Sequence, residues 1–174
     1  HNLRTTPDAL PALLEEHNRR MLISHKIFTE AELRSRYEIT LENYCKTVNI
    51  EGLTMVDMAR KEILPAVEAY AKTLSDTLSA KTAAVPGLAC KYEKKAIASL
   101  SSLSDGIDEA IGELEKALFA FRECTDITEA AAAIRDKVLP KMAELRVVCD
   151  EAETQTDSKF WPFPTYGDLL FGVR

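Results

Sequence analysis

The sequence predicts an all-α protein: an antiparallel up-down bundle of three long helices, with a short N-terminal helix and an extended aromatic C-terminal tail. Three observations carry that prediction. Between Thr29 and Lys81, apolar residues recur on one helical face: Leu33, Tyr37, Leu41, Tyr44, Val48, then Met55, Ala59, Ile63, Val67, Tyr70, Leu74 and Leu78. The steps are threes, fours and one seven, as one face of an α-helix requires. Two further stripes of the same period follow, parted by short turn signals, so successive helices alternate in direction. The composition agrees. It is 46% hydrophobic and 29% charged, with 6 glycines and 7 prolines, an ordered and helix-rich profile.

In chain order, Thr6 and Pro7 suit an N-cap and first turn. A short helix is expected from about Ala9 to Ser24, with Pro11 restarting or bending it. His25 to Phe28 connects it to the next element, and Ile27 or Phe28 can staple the following start. Thr29 with Glu32 is a capping box, so the longest helix begins there. At 1.5 Å per residue, a helix of about fifty residues spans roughly 75 Å, more than a small globular core needs. Gly52 weakens it by about 1 kcal/mol relative to Ala. Pro65 removes a backbone hydrogen bond and predicts a kink in one continuous helix.

The two halves of that helix differ. Between Tyr37 and Met58, apolar residues also stand off the main stripe: Ile39, Ile50, Leu53, Val56 and Met58. A helix that is apolar on more than one face wants more than one partner. From Glu62 on, the outer face is charged, with Lys72, Asp76 and Lys81. Pro86-Gly87 then marks a turn. A second helix is expected over roughly Leu88–Glu123 and a third from about Ile127 to Ala152, capped by Asp126 and bent at Pro140. These two are shorter than the first. They are expected to cover its second half and leave its first half protruding. The tail, FWPFPTYGDLLFGVR, concentrates aromatics, and its prolines and glycines argue against a regular helix. Its apolar surface must dock, on this bundle or on something else. The whole reads as one domain over 1–174: connector and short helix at 1–28, long-helix bundle at 29–156, tail at 157–174.

The net charge of −6 argues against nucleic acid or an anionic membrane as partner. No apolar run approaches the roughly 18 residues of a membrane span. The opening, His1-Asn2-Leu3-Arg4, is neither a signal nor a transit peptide. A start without Met reads as a piece of a longer chain, with a processed or trimmed start as the alternative. Cys45, Cys90, Cys124 and Cys149 are widely spaced and form no CxxC, so reduced thiols in a cytoplasmic protein are expected.

The sequence holds no glycine-rich phosphate loop, HExxH or GxSxG, and no paired Glu-x-x-His of a di-iron bundle. His17 and His25 are read as surface or packing histidines before metal ligands. The carboxylate pairs Glu15–Glu16, Glu38–Glu42 and Asp108–Glu109 are read as solvated faces rather than acid–base machinery. Tyr37 and Tyr44 are read as core. No catalytic, cofactor-binding or metal-binding residue is assigned.

Two stretches resemble the C-terminal region of type III glutamine synthetases: Arg36 to Val67, RYEITLENYCKTVNIEGLTMVDMARKEILPAV, and Phe160 to Val173, FWPFPTYGDLLFGV. TTPDALPALL and FTEAELRSRYE are similar to that family in the same order, whereas Lys72 to Thr156 is generic helix. The resemblance implies a parent glutamate–ammonia ligase of nitrogen metabolism, using ATP and Mg²⁺ and built as stacked hexameric rings. Its ligand-binding residues would lie on a β-rich catalytic core before His1, so none is carried over. The expected function is a non-catalytic helical assembly and packing domain. The catalytic core and neighbouring subunits of a homo-oligomer are its expected partners, through Tyr37–Met58 and the tail. The alternative is a stand-alone helical adaptor binding a partner helix; a small-molecule-binding bundle would need a polar internal pocket.

Overall fold

The computed structural model describes residues 3–172, and every regular element among them is helical. His1 and Asn2 of the opening, and Val173 and Arg174 of the tail, lie outside the described residues. The chain divides into two compact units, residues 1–54 with 114–142 and residues 55–113 with 143–174.

The first unit opens with α1 (Thr6–Ala9), a 3-10 turn (Leu10–Leu14) and α2 (Glu16–Ser24). The single helix expected over Ala9–Ser24 is therefore broken. Pro11 has no N–H to donate, which favours the tighter turn, and Glu15 at φ −59, ψ 140 leaves helical space altogether. Asn18 Nδ2 donates to the Ala12 carbonyl at 2.7 Å and takes up an acceptor at the break. The first N-cap is Thr5, one residue before the expected Thr6.

Next comes α3 (Glu30–Met58). Its start is the expected capping box: Thr29 N donates to Glu32 Oε2 at 2.8 Å, and Glu32 N donates to Thr29 Oγ1 at 3.3 Å. The main stripe is core, with Leu33, Leu41, Cys45 and Val48 buried. Later segments contribute Leu114 and Leu118, then Ala130, Ala131, Ile134 and Val138. A Cβ on Gly52 would sit 3.1 Å from Leu118 Cδ2, so the missing side chain lets the two helices close up. The first half of the long helix is thus covered along its main stripe. Expecting the later helices to leave that half bare underestimated how far they reach, since residues 114–142 share its unit.

The second unit holds α4 (Leu64–Ala84), most of α5 (Lys91–Arg122), and α7 (Leu139–Gln155) from residue 143. The first unit takes the end of α5 together with α6 (Ile127–Ala133), which Asp126 caps through the N–H groups of Thr128 and Glu129 at 2.8 and 3.0 Å. Within the second unit, Ser99 Oγ donates to Gln155 Oε1 at 2.7 Å, and Gly106 lies against Val148. Seven residues forward on α5 match seven back on α7, an antiparallel pairing at heptad spacing. The second long helix starts at Lys91 rather than Leu88, because Gly87 (φ 84) and Cys90 (φ 44) hold the turn open with left-handed backbone. Lys81 closes that turn through an ion pair with Glu93, which is buried.

Both internal prolines are met by a widened turn. Ala59–Ile63 and Ile134–Val138 are π-helical, and each is followed by Leu-Pro. A proline offers no N–H to the carbonyl four residues back, and its ring clashes with it. One π turn moves that carbonyl away while the dihedrals on either side stay right-handed helical. The helix is therefore continuous through Pro65, as expected.

The tail divides in two. Phe160 packs on Tyr70 with ring centroids 5.6 Å apart, and Trp161 meets Phe163 edge-on at 6.3 Å. Beyond them a short helix, α8 (Tyr166–Phe171), forms where only irregular chain was expected. Its capping box explains it: Thr165 N donates to Asp168 Oδ2 at 2.9 Å, and Asp168 N donates to Thr165 Oγ1 at 3.2 Å.

Candidate assembly surface

The off-stripe residues of α3 separate into two groups. Val56 is buried and Met58 half-buried, so these two belong to the core. Ile39, Ile50 and Leu53 are 51%, 63% and 40% exposed. At about 100° per residue, Ile39, Asn43, Lys46, Ile50, Leu53 and Asp57 fall within roughly 80° of arc, opposite the buried Leu41, Val48 and Gly52. The flanking charges are satisfied along the helix. Lys46 Nζ lies 2.7 Å from Glu42 Oε1, and Lys61 pairs with Asp57. The face is thus an apolar centre between two neutralised ends. A second apolar surface is α8, where Leu169, Leu170 and Phe171 are all exposed.

The other candidate residues are placed as follows. His17 and His25 line one open groove with Arg19, Arg20 and Glu30. Arg19 is already committed, to Glu16 and to both Glu30 oxygens at 3.0 and 3.1 Å. Among the described residues no group of three or more His, Cys, Asp or Glu is placed to hold a metal ion. Glu15, Glu38, Asp108 and Glu109 are exposed, as is Glu16 beside Arg19. Tyr37 is half-buried, and the Tyr44 hydroxyl is buried without a hydrogen-bond partner; burial raises its pKa. All four cysteines are free, and burial pushes the Cys149 thiol up to about 11. No helix among the described residues is long and apolar enough to cross a membrane.

Comparison with known proteins bears on what this surface serves. Residues 1–82 match the family model described as glutamine synthetase C-terminal domain. Those residues belong to the glutamine synthetase C-terminal domain family. Relatives extend the likeness to the rest of the chain. A glutamine synthetase of Butyrivibrio fibrisolvens is 36% identical over 173 residues, covering 99% of this chain and 25% of the relative. A type-3 glutamine synthetase of Dictyostelium discoideum is 27% identical over 174 residues, covering 98% of this chain and 24% of the relative. A glutamine synthetase of Bacteroides fragilis (strain YCH46) is 28% identical over 176 residues, with the same coverage. The chain spans about a quarter of the length of these curated relatives. The resemblance to glutamine synthetases read from the sequence is borne out. The exposed α3 face lies inside the matched domain, and α8 lies in the part that only the relatives cover.

Proposed function

We propose that this chain is the non-catalytic assembly and packing domain of a type III glutamine synthetase. The parent would be a cytoplasmic homo-oligomer that ligates ammonia to glutamate with ATP and Mg²⁺. The observation that carries the reading is the two-faced α3. Its main stripe is buried, yet Ile39, Ile50 and Leu53 on the opposite side remain in water. Fully burying each such side chain is worth about 1.5–3 kcal/mol, which a catalytic core or a neighbouring subunit would gain on covering this face and α8. The test is an assay of the 174-residue chain for glutamine formation from glutamate, ammonia, ATP and Mg²⁺. No turnover is expected, and turnover above background overturns the reading.

A helical adaptor is the second reading. The observation favouring it is an apolar groove lined by Leu10, Leu13, Met21 and Leu22. A free amphipathic helix that protects these four side chains from exchange broadening in NMR would support it.

A further inference from the structure

Along the exposed face of α3 and into the π turn, the charged Glu42 and Lys46 on one side and Asp57 and Lys61 on the other flank the apolar Ile50 and Leu53, with Asn43 among them and Ile39 beyond. The charges read minus, plus, then apolar, apolar, then minus, plus. That order is self-complementary under one arrangement. Turn a second copy of the helix antiparallel, with a two-fold axis midway between Ile50 and Leu53. Ile50 then faces Leu53 of the second copy, Lys46 faces its Asp57, and Glu42 faces its Lys61. A parallel, in-register pairing would set each charge against its like. All four charged side chains are more than half exposed, and each pairs with the neighbour four residues along. They can therefore engage a second copy without abandoning any buried contact.

We propose that this face pairs with the same face of a second copy of the chain, antiparallel about that axis. The inference rests on the assembly reading above and names its partner. It is an isologous contact, so every substitution acts twice per dimer. The apolar pair at the axis supplies desolvated contact, and the charges fix direction and register.

The experiment is sedimentation equilibrium of the 174-residue chain and its surface variants at low and moderate salt. A dimer is expected. Lys46→Glu alone and Asp57→Lys alone each set like charges together and should weaken it at least about tenfold. The double variant restores complementary signs and should return the affinity to within about threefold of the unsubstituted chain. Leu53→Asp should abolish the dimer at any salt. All these positions are exposed, and unchanged helical circular dichroism confirms folding. A dimer indifferent to the single charge reversals, or one the double variant fails to rescue, overturns the antiparallel pairing and leaves the assembly reading standing. A strict monomer at millimolar concentration also overturns the pairing. The activity assay above then judges the assembly reading alone.

Discussion

Arg135 Nη1 lies 2.9 Å from Asp8 Oδ1, a contact between positions 127 apart in the chain. The other edge of the guanidinium is held by Asp136, and the other oxygen of Asp8 accepts the Thr5 hydroxyl at 2.7 Å. The clip joins the N-terminal segment to the π turn that precedes Pro140. The Thr5 hydroxyl, then Arg135, holds the Asp8 carboxyl below its ordinary value of 3.8.

A depressed carboxylate stabilises the fold above its unfolded pKa, and that contribution is lost as pH falls through the folded value. Amide exchange at α1 should therefore stay slow down to 3.8 and accelerate below it. Arg135→Gln should make exchange at α1 faster at neutral pH and less dependent on acid. An unchanged acid profile in that variant would show that the clip does not hold the segment.

Two helical glycines should respond oppositely to alanine. At Gly112 an added Cβ meets nothing within 4 Å, so Gly112→Ala should stabilise by about 0.5–1 kcal/mol through helix propensity. At Gly52 the added Cβ would press on Leu118, which is 2% exposed and would have to shift by a few tenths of an ångström. Gly52→Ala should cost about 1 kcal/mol net despite the same propensity gain. Leu118→Val in the Gly52→Ala background should recover part of that loss. Thermal unfolding of the three variants beside the unsubstituted chain decides it.

What the sequence made legible was local. Thr29 with Glu32, and Asp126 with the two N–H groups after it, sit three residues or fewer apart, so their chemistry can be read without the fold. The helical stripes were legible because a period needs only its own helix. The break at Glu15 was not, because Ala9–Ser24 keeps an acceptable apolar pattern through it. The π turn at Ala59–Ile63 leaves a trace in the sequence. Met55, Ala59, Ile63 and Val67 step by four three times running. Each such step overshoots an α-helical stripe by about 40°, and only a wider turn brings the face back. Asp8 and Arg135 left no trace, since nothing local links positions so far apart. On the candidate surface, Ile39, Ile50 and Leu53 were legible as off-stripe residues. Val56 does not belong with them: eleven residues beyond the buried Cys45, it falls within about 20° of it on an α-helix and shares the core face.

Tyr70 offers a titration that reads the second unit. A hydrogen bond with Tyr92, then burial, pushes its hydroxyl up from 10.0 to about 12. An acid whose folded pKa is raised stabilises the fold below the unfolded value, and the contribution fades as pH rises toward the folded one. Stability should therefore fall between pH 10.0 and about 12. Tyr92→Phe should bring the phenolate absorbance step of Tyr70 back toward 10.0 without reaching it, because burial remains. A step that does not move would assign the shift to burial and the Phe160 contact alone.

The π turn at Ala59–Ile63 adds one residue to an α-helical turn, and it is what lets the helix accommodate Pro65. Deleting Lys61, whose side chain is 68% exposed, should close the turn to α-helix and keep the downstream stripe in phase. That leaves Pro65 in an α-helical interior against the carbonyl four residues back, at a cost of about 3 kcal/mol. Pro65→Ala in the deletion background should recover most of this cost, since the N–H returns and the clash goes. Pro65→Ala alone should be nearly neutral, because packing of Ala59, Ile63 and Val67 still demands the wide turn. The Asp57–Lys61 pair lost with the deletion is exposed, so the rescue is not hidden by it. Urea unfolding of the deletion, the proline substitution and their combination separates these terms. Additive effects would mean that Pro65 and the π turn are independent features of the helix.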